Sequence, residues 1–252
     1  MRVLYAGDGQ KHGAAKYLLS VLEFLKVNYV YVPSSEILTP VHLKFHFDIV
    51  IFSDYRHDRL PIESEDSLLR MISGGTGFMM IGGWSSFRGL SGHWNHSKIE
   101  KLLPVVCLKK DDRWNFSSGA AVQIKKGSQK VFSKSLFQDS PVICGLNEVI
   151  PKKESRTLLT AKPLKIVSSK SGKAAAKISL AEYPLLVIHS DPKKKIAALT
   201  TDLAPHWCGG LIDWGTKREK LDFEGIYIEL GNKYIEFISS LLKWLSPTRG
   251  GK

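Results

Sequence analysis

The sequence is poor in the residues that would make its chemistry easy to name. It has three cysteines, Cys107, Cys144 and Cys208, far apart and without a C-x-x-C pair, a spacing that supports neither a disulfide framework nor a structural zinc site. No run approaches the ~18 apolar residues of a membrane span, and the opening strand Met1–Gly7 is too short for a signal-peptide core. A cytoplasmic, reducing location is therefore expected. Gly7-Asp8-Gly9 is no dinucleotide fingerprint, because the third glycine would have to stand where His12 does. His93, His96, Asp202 and His206 lack H-x-H or H-E-x-x-H spacing. Neither a cofactor nor a metal is expected, and no internal repeat is evident.

What is abundant is positive charge: 36 Lys and Arg against 24 Asp and Glu, a formal net charge of +12. Residues 1–100 carry 10 of each sign and residues 196–252 carry 7 of each, so the whole excess, 19 against 7, lies in residues 101–195. Much of it is Lys109-Lys110, Lys125-Lys126, Lys152-Lys153 and Lys193-Lys194-Lys195, at expected turns and strand ends. This reads as a solvated face, with a binder of anionic partners as the alternative. The aromatic interleaving of a single-strand-binding groove is absent, so nucleic acid is not an expected partner.

Along the chain, residues 2–6 read as a strand ending in a glycine turn, and His12 to Val27 carries apolar residues at helical spacing. Strands are expected at 29–32, 48–54 and 78–81, with a helix from Glu63 to Ser73, the alternation of an open, mostly parallel sheet. After Leu103-Pro104-Val105 the pieces become short and β-rich (121–124, 157–160, 165–167, 175–178, 185–188), which predicts an antiparallel extension at about 105–190. A last core strand at 196–202, a helix at 231–245 and a frayed tail at 247–252 complete one domain over 1–252.

Two places carry candidate chemistry. Gly74 to Gly89 reads as glycine turn, buried strand, second glycine turn: the outline of a nucleophile elbow with no cysteine in it. Gly83-Trp84-Ser85 offers a Gly-x-Ser opening, but Phe87 stands where a small residue is needed, which argues against a serine nucleophile. The alternative use is the backbone, with Gly82 and Gly83 amides free for an anion or carbonyl oxygen and Trp84, Ser85, Phe87, Arg88, His93 and Trp94 around them. The loop's aromatics tucked into the fold are the bland counterpart. The second place is the loop after 196–202, where Asp202, His206 and Cys208 fall within seven residues. Asp202 could orient His206 as a base, and Cys208 could be a thiolate beside it. The bland counterpart is an architectural loop capped by Trp207. Asp8 and Asp54, at the same expected edge, read as turn or capping residues.

Taken in order, Val3–Asp8, Asp48–Asp54, Met80–Gly89, Leu103-Pro104-Val105, Asp111-Asp112-Arg113 and Thr201–Trp207 resemble the class I glutamine amidotransferase-like family with its elbow cysteine missing. The resemblance implies a flavodoxin-like α/β three-layer sandwich, in which active members release ammonia from glutamine with an elbow cysteine, a downstream histidine and an acidic partner. Here that cysteine aligns with Gly82 or Gly83, and His206 lies several residues past the family's histidine. The expectation is thus a protein without ordinary glutaminase activity that binds a small ligand or protein partner at the carboxyl edge of the sheet, through Gly82, Gly83, Trp84, Ser85, Arg88 and Trp207. The competing expectation is an amide or glycan-related hydrolase or amidotransferase using Cys208, Cys107, or water activated by Asp202 and His206. A homo-oligomer is compatible with either.

Overall fold

The structure, a computed structural model, describes residues 1–168, 174–189, 191 and 193–247. The first third alternates as its periodicity demands: β1 (Arg2–Gly7), α1 (Ala15–Phe24), β2 (Asn28–Val32), β3 (Ile49–Ser53), α2 (Ile62–Ser73), β4 (Gly77–Ile81) and the short α3 (Lys98–Leu102). The extension comprises β5 (Val105–Cys107), β6 (Arg113–Ile124), β7 (Val142–Asn147), β8 (Val149–Pro151), β9 (Ser155–Ser168), β10 (Ala174–Ile178) and β11 (Tyr183–His189). The chain returns through β12 (Ile196–Leu199), α4 (Pro205–Cys208), β13 (Arg218–Phe223), β14 (Ile226–Gly231) and α5 (Asn232–Leu245). The tail expected to fray falls, from residue 248 on, outside the described residues.

The main sheet runs β2-β1-β3-β4-β12-β11-β9-β6-β7, with β10 paired to β9. Its first five strands are parallel and the rest antiparallel. The β-rich extension is therefore part of the same sheet, joined through the β11–β12 pair. Parallel strands covered on both faces need apolar residues at every position, and β3 and β4 are buried throughout. Alternate residues feed separate cores: Val3, Tyr5, Ile51 and Ile81 pack with α1 and α5, whereas Leu4, Phe52, Phe78 and Met80 pack with Leu68, Ile72 and Ile99 from α2 and α3. Among the described residues, no helix is long and apolar enough to cross a membrane.

Several boundaries differ from expectation for local reasons. The expected strands 157–160 and 165–167 are one strand, β9, because Lys162, Pro163 and Leu164 stay extended; Lys162 and Pro163 pair with β6. β6 begins eight residues before the expected 121–124, since its polar first half is set by pairing with β7 rather than by an apolar run. α3, not expected from the sequence, is capped by Ser97, whose Oγ accepts the Glu100 N–H at 2.9 Å, an S-x-x-E cap. The β13–β14 hairpin turns at Glu224-Gly225, both at positive φ.

Candidate functional site

Four parallel strands end side by side, and the turns beyond their carboxyl ends form the candidate site. β1 delivers Asp8, β3 delivers Asp54, β4 delivers Gly82-Gly83, and β12 leads through Thr200-Thr201 to Asp202. The carboxyl ends of an open parallel sheet are where ligands of such folds bind.

The elbow differs from its expected form. Its amides are not free: Gly82 N–H donates to the carbonyls of Leu199 at 2.7 Å and Thr201 at 3.0 Å, and Gly83 N–H donates to Asn147 Oδ1 at 2.9 Å. An oxyanion hole needs donors aimed at an open position, and these two are spent inside the fold. There is no room for a side chain either. A Cβ on Gly82 would lie 1.9 Å from the Thr200 carbonyl oxygen, and one on Gly83 would lie 2.8 Å from Asp54 Oδ1.

Beneath the elbow is a buried polar network. Asn147, fully buried at the end of β7, donates to the Gly83 carbonyl at 3.1 Å and to Asp112 Oδ1 at 2.7 Å. Asp112 also accepts the N–H groups of Arg88 and Gly89, each at 3.0 Å. Burial pushes the Asp112 carboxyl up, while Asn147 and these amides pull it back. Asp54 accepts the Ser85 N–H, and its own N–H donates to Ser86 Oγ at 2.9 Å. Sequence reasoning does not find Asn147; its only signal is an amide closing the otherwise apolar run Val142–Leu146.

The expected pocket wall is divided. Phe87 and Trp94 are fully buried, and Trp94 donates its ring N–H to the Tyr55 carbonyl at 2.8 Å. His93 is exposed on the loop. Trp84 stays 47% exposed, with the Arg113 guanidinium 4.5 Å from its ring centre and the His206 ring 6.3 Å away, edge to face. Arg113 is itself held by Asp111 at 2.7 Å. Ser85 Oγ bonds Ser91 Oγ at 2.9 Å, and Arg88 is half-buried with its side chain on the Gly89 carbonyl at 3.4 Å.

The second constellation is brought to the same edge but not into a relay. Asp202 accepts the Cys208 N–H at 2.9 Å, serving α4, and among the described residues no hydrogen bond or ion pair joins it to His206. Cys208 is fully buried and Cys107 is 4% exposed, and burial raises both thiols, helped by the charges of Asp202 and Glu100 respectively. A buried, raised thiol is a poor nucleophile, so the structure does not provide the thiolate considered for Cys208 and Cys107. Trp207 is buried on Gly145 and donates to Asn115 Oδ1 at 2.8 Å, so it props the extension against α4 rather than facing solvent.

All three edge carboxyls are raised, and burial is the main cause for each. Burial raises Asp8 to about 7, against the pull of the Tyr5 hydroxyl hydrogen bond and with help from the Asp54 charge. Burial likewise lifts Asp54, opposed by the Ser85 and Trp84 contacts. Asp202 is pushed well above the ordinary carboxylate range by burial, then by the charge of Asp8. Asp8 and Asp54 both sit at positive φ, a conformation aspartate tolerates better than most residues. Asp8 is a turn residue as expected, and it does not cap α1, which has no side-chain cap. Among the described residues no His, Cys, Asp and Glu group has the arrangement of a metal site.

Comparison with known proteins gives a consistent picture. The family described as "Putative glutamine amidotransferase" matches residues 7–221. Cytoplasmic Protein STM3548 from Salmonella typhimurium superposes with a TM-score of 0.73 at 18% identity, over 98% of this chain and 100% of that one. Cytoplasmic Protein STM1381 from Salmonella typhimurium LT2 gives 0.70 at 20% identity, over 98% and 100%. A thua-like protein from Bacteroides uniformis gives 0.56 at 12% identity, over 97% and 90%. At these identities the likeness is one of fold. No curated protein matches the chain.

Proposed function

The chain belongs to the glutamine amidotransferase-like family whose description matches residues 7–221, and we propose that within it this protein is a binding member without cysteine-dependent glutaminase chemistry. Its ligand is a small molecule held at the carboxyl edge of the sheet by the exposed Trp84 and His206 and the half-buried Arg113. The observation that carries this reading is the filled elbow: the Thr200 carbonyl and the Asp54 carboxylate occupy the space a nucleophile's side chain would need. Thioester chemistry requires a thiolate within reach of the carbonyl carbon and donors for the oxyanion, and both Gly82 and Gly83 amides are engaged.

The surface above the elbow suits recognition. A half-exposed indole with a guanidinium on one face offers stacking area and positive charge together, and the Asp111 pair fixes the guanidinium plane. A planar or ring-shaped ligand bearing an anionic group matches this chemistry. The two cores on opposite faces of the parallel strands support the three-layer, flavodoxin-like reading of this half. A cytoplasmic location is part of the proposal, supported by the names of the two Salmonella proteins.

Incubation with glutamine tests the proposal. No ammonia above a protein-free blank is expected, and a glutamine-analogue electrophile should leave no adduct on Cys107, Cys144 or Cys208. Glutamine turnover that disappears in Cys208→Ser would replace the binding reading with the enzymatic one.

A further inference from the structure

β6 loses both of its neighbours at one place. On the β7 side Asn115 pairs with Gly145 and Ala120 with Ile143, so Phe116, Ser117, Ser118 and Gly119 bulge opposite the single residue Cys144. On the β9 side the ladder ends at Ala120 opposite Pro163. The two strands part there, and a hollow of about 300 Å³ opens between them, at the small end of the range for ligand pockets. Bulges re-aim side chains and recur beside binding sites. The lining is aromatic on one side: Tyr183 lies between Trp114 and Phe116, its ring centre 5.7 Å from each, and Trp114 stays 44% exposed. The indole N–H donates to Glu148 Oε2 at 2.8 Å, which fixes the ring by its edge rather than covering a face. The rest of the lining is polar. The hydroxyls of Ser117, Ser118 and Tyr183 make no hydrogen bond among the described residues, and Lys165 has no acidic partner among them. Lys177 stands directly opposite Lys165 on β10, equally without one. Like charges facing each other across a ladder are destabilising, and an anion shared by the two removes that cost.

We propose that this hollow is a second ligand site, independent of the elbow edge, and that it takes a sugar ring carrying a carboxylate. The C–H face of a pyranose lies on the electronegative face of the Trp114 indole. Its hydroxyls meet those of Ser117, Ser118 and Tyr183, each able to donate and to accept, and its carboxylate meets Lys165 and Lys177. The alternatives use only part of the lining. A flat aromatic anion stacks on the indole and pairs with the lysines but leaves the three hydroxyls without partners. A neutral sugar satisfies the hydroxyls but leaves the lysine pair uncompensated.

Saturation-transfer NMR and calorimetric titration of the full chain with glucuronate, galacturonate, the neutral parents glucose and galactose, and salicylate test the proposal. At least one uronate is expected to bind at least ~5-fold tighter than its neutral parent, with a dissociation constant that rises between about 0.1 M and about 0.5 M salt. Trp114→Ala should weaken the uronate at least ~10-fold, and Lys165→Gln with Lys177→Gln should bring it to the level of the neutral parent. Trp84→Ala, at the elbow edge, should leave it unchanged. Trp114 and both lysines are exposed, and unchanged circular dichroism and melting temperature verify the fold of each variant. Binding of neither uronate overturns the proposal, as does a neutral parent that binds as tightly. Salicylate that binds as tightly as the uronate and is lost in Trp114→Ala would make the hollow a site for flat anions and overturn the sugar. Uronate binding that survives both the Trp114 and the lysine substitutions, or disappears in Trp84→Ala, places the sugar outside the hollow and overturns the proposal as well.

Discussion

The side-chain amide of Asn147 reaches the Asp112 carboxylate at 2.7 Å while its oxygen receives the Gly83 N–H at 2.9 Å. One buried residue of the antiparallel extension thereby fixes the turn that ends a parallel strand. Removing its amide would strand the Gly83 N–H and leave the buried Asp112 charge without one of its donors. Asn147→Ala is expected to cost ~2–4 kcal/mol, read as a lowered urea midpoint; a loss below about 0.5 kcal/mol would show the network to be dispensable.

Gly82→Cys puts a thiol at one of the two positions with which the elbow cysteine is expected to align, and should not create a glutaminase. Its Cβ would meet the Thr200 carbonyl at 1.9 Å and Asn147 Oδ1 at 2.8 Å, backbone and buried amide that have little room to yield. The variant is expected to lose more than about 3 kcal/mol of stability and to release no ammonia from glutamine. A stable Gly82→Cys protein that hydrolyses glutamine would show that the elbow opens in solution.

Asp8 makes stability pH-dependent in a definite direction. Its folded carboxyl titrates near 7, against ~3.9 in the unfolded chain, so the folded state holds the proton more tightly. The stabilisation is fully present below the unfolded value and is lost as pH rises through the folded one. Three units correspond to at most ~4 kcal/mol. Asp8→Asn keeps an acceptor for the Tyr5 hydroxyl and cannot ionise. It should melt at higher temperature than the natural protein at pH 8, with the gap closing towards pH 4. Equal melting temperatures across that range would mean that Asp8 ionises freely in the fold.

Trp84→Ala and Arg113→Ala should separate binding from folding. Both side chains are at the surface edge of the site, so each substitution is expected to shift stability by no more than ~1 kcal/mol, the scale of an exposed cation–π contact. Ligand-induced changes in tryptophan fluorescence, surveyed with planar carboxylates and phosphates, should vanish in Trp84→Ala. A response that persists in that variant places the ligand elsewhere.

The sequence by itself determined the alternation of the first third, because a strand buried on both faces is continuously apolar and a covering helix repeats its apolar residues every three to four positions. It also determined that Asp8, Asp54, Gly82 and Asp202 share one edge, since each follows a strand of a parallel sheet; that the Trp84 and His206 rings meet there came from the structure. The β13–β14 hairpin was not expected from the sequence, because in β13 Arg218, Lys220 and Asp222 alternate with the neighbouring residues and break up any apolar run. Only the tertiary structure decided what the elbow does. The acceptors that consume the Gly82 and Gly83 amides come from Leu199, Thr201 and Asn147, each more than sixty residues away, and no local pattern specifies a hydrogen bond across that distance. The same holds for Cys208 and Trp207: their spacing from His206 is fixed by the chain, but whether they face solvent or core depends on the turn of α4 against β7. That turn is set by the packing of Trp207 on Gly145 and by the Asp202 carboxylate at the Cys208 amide.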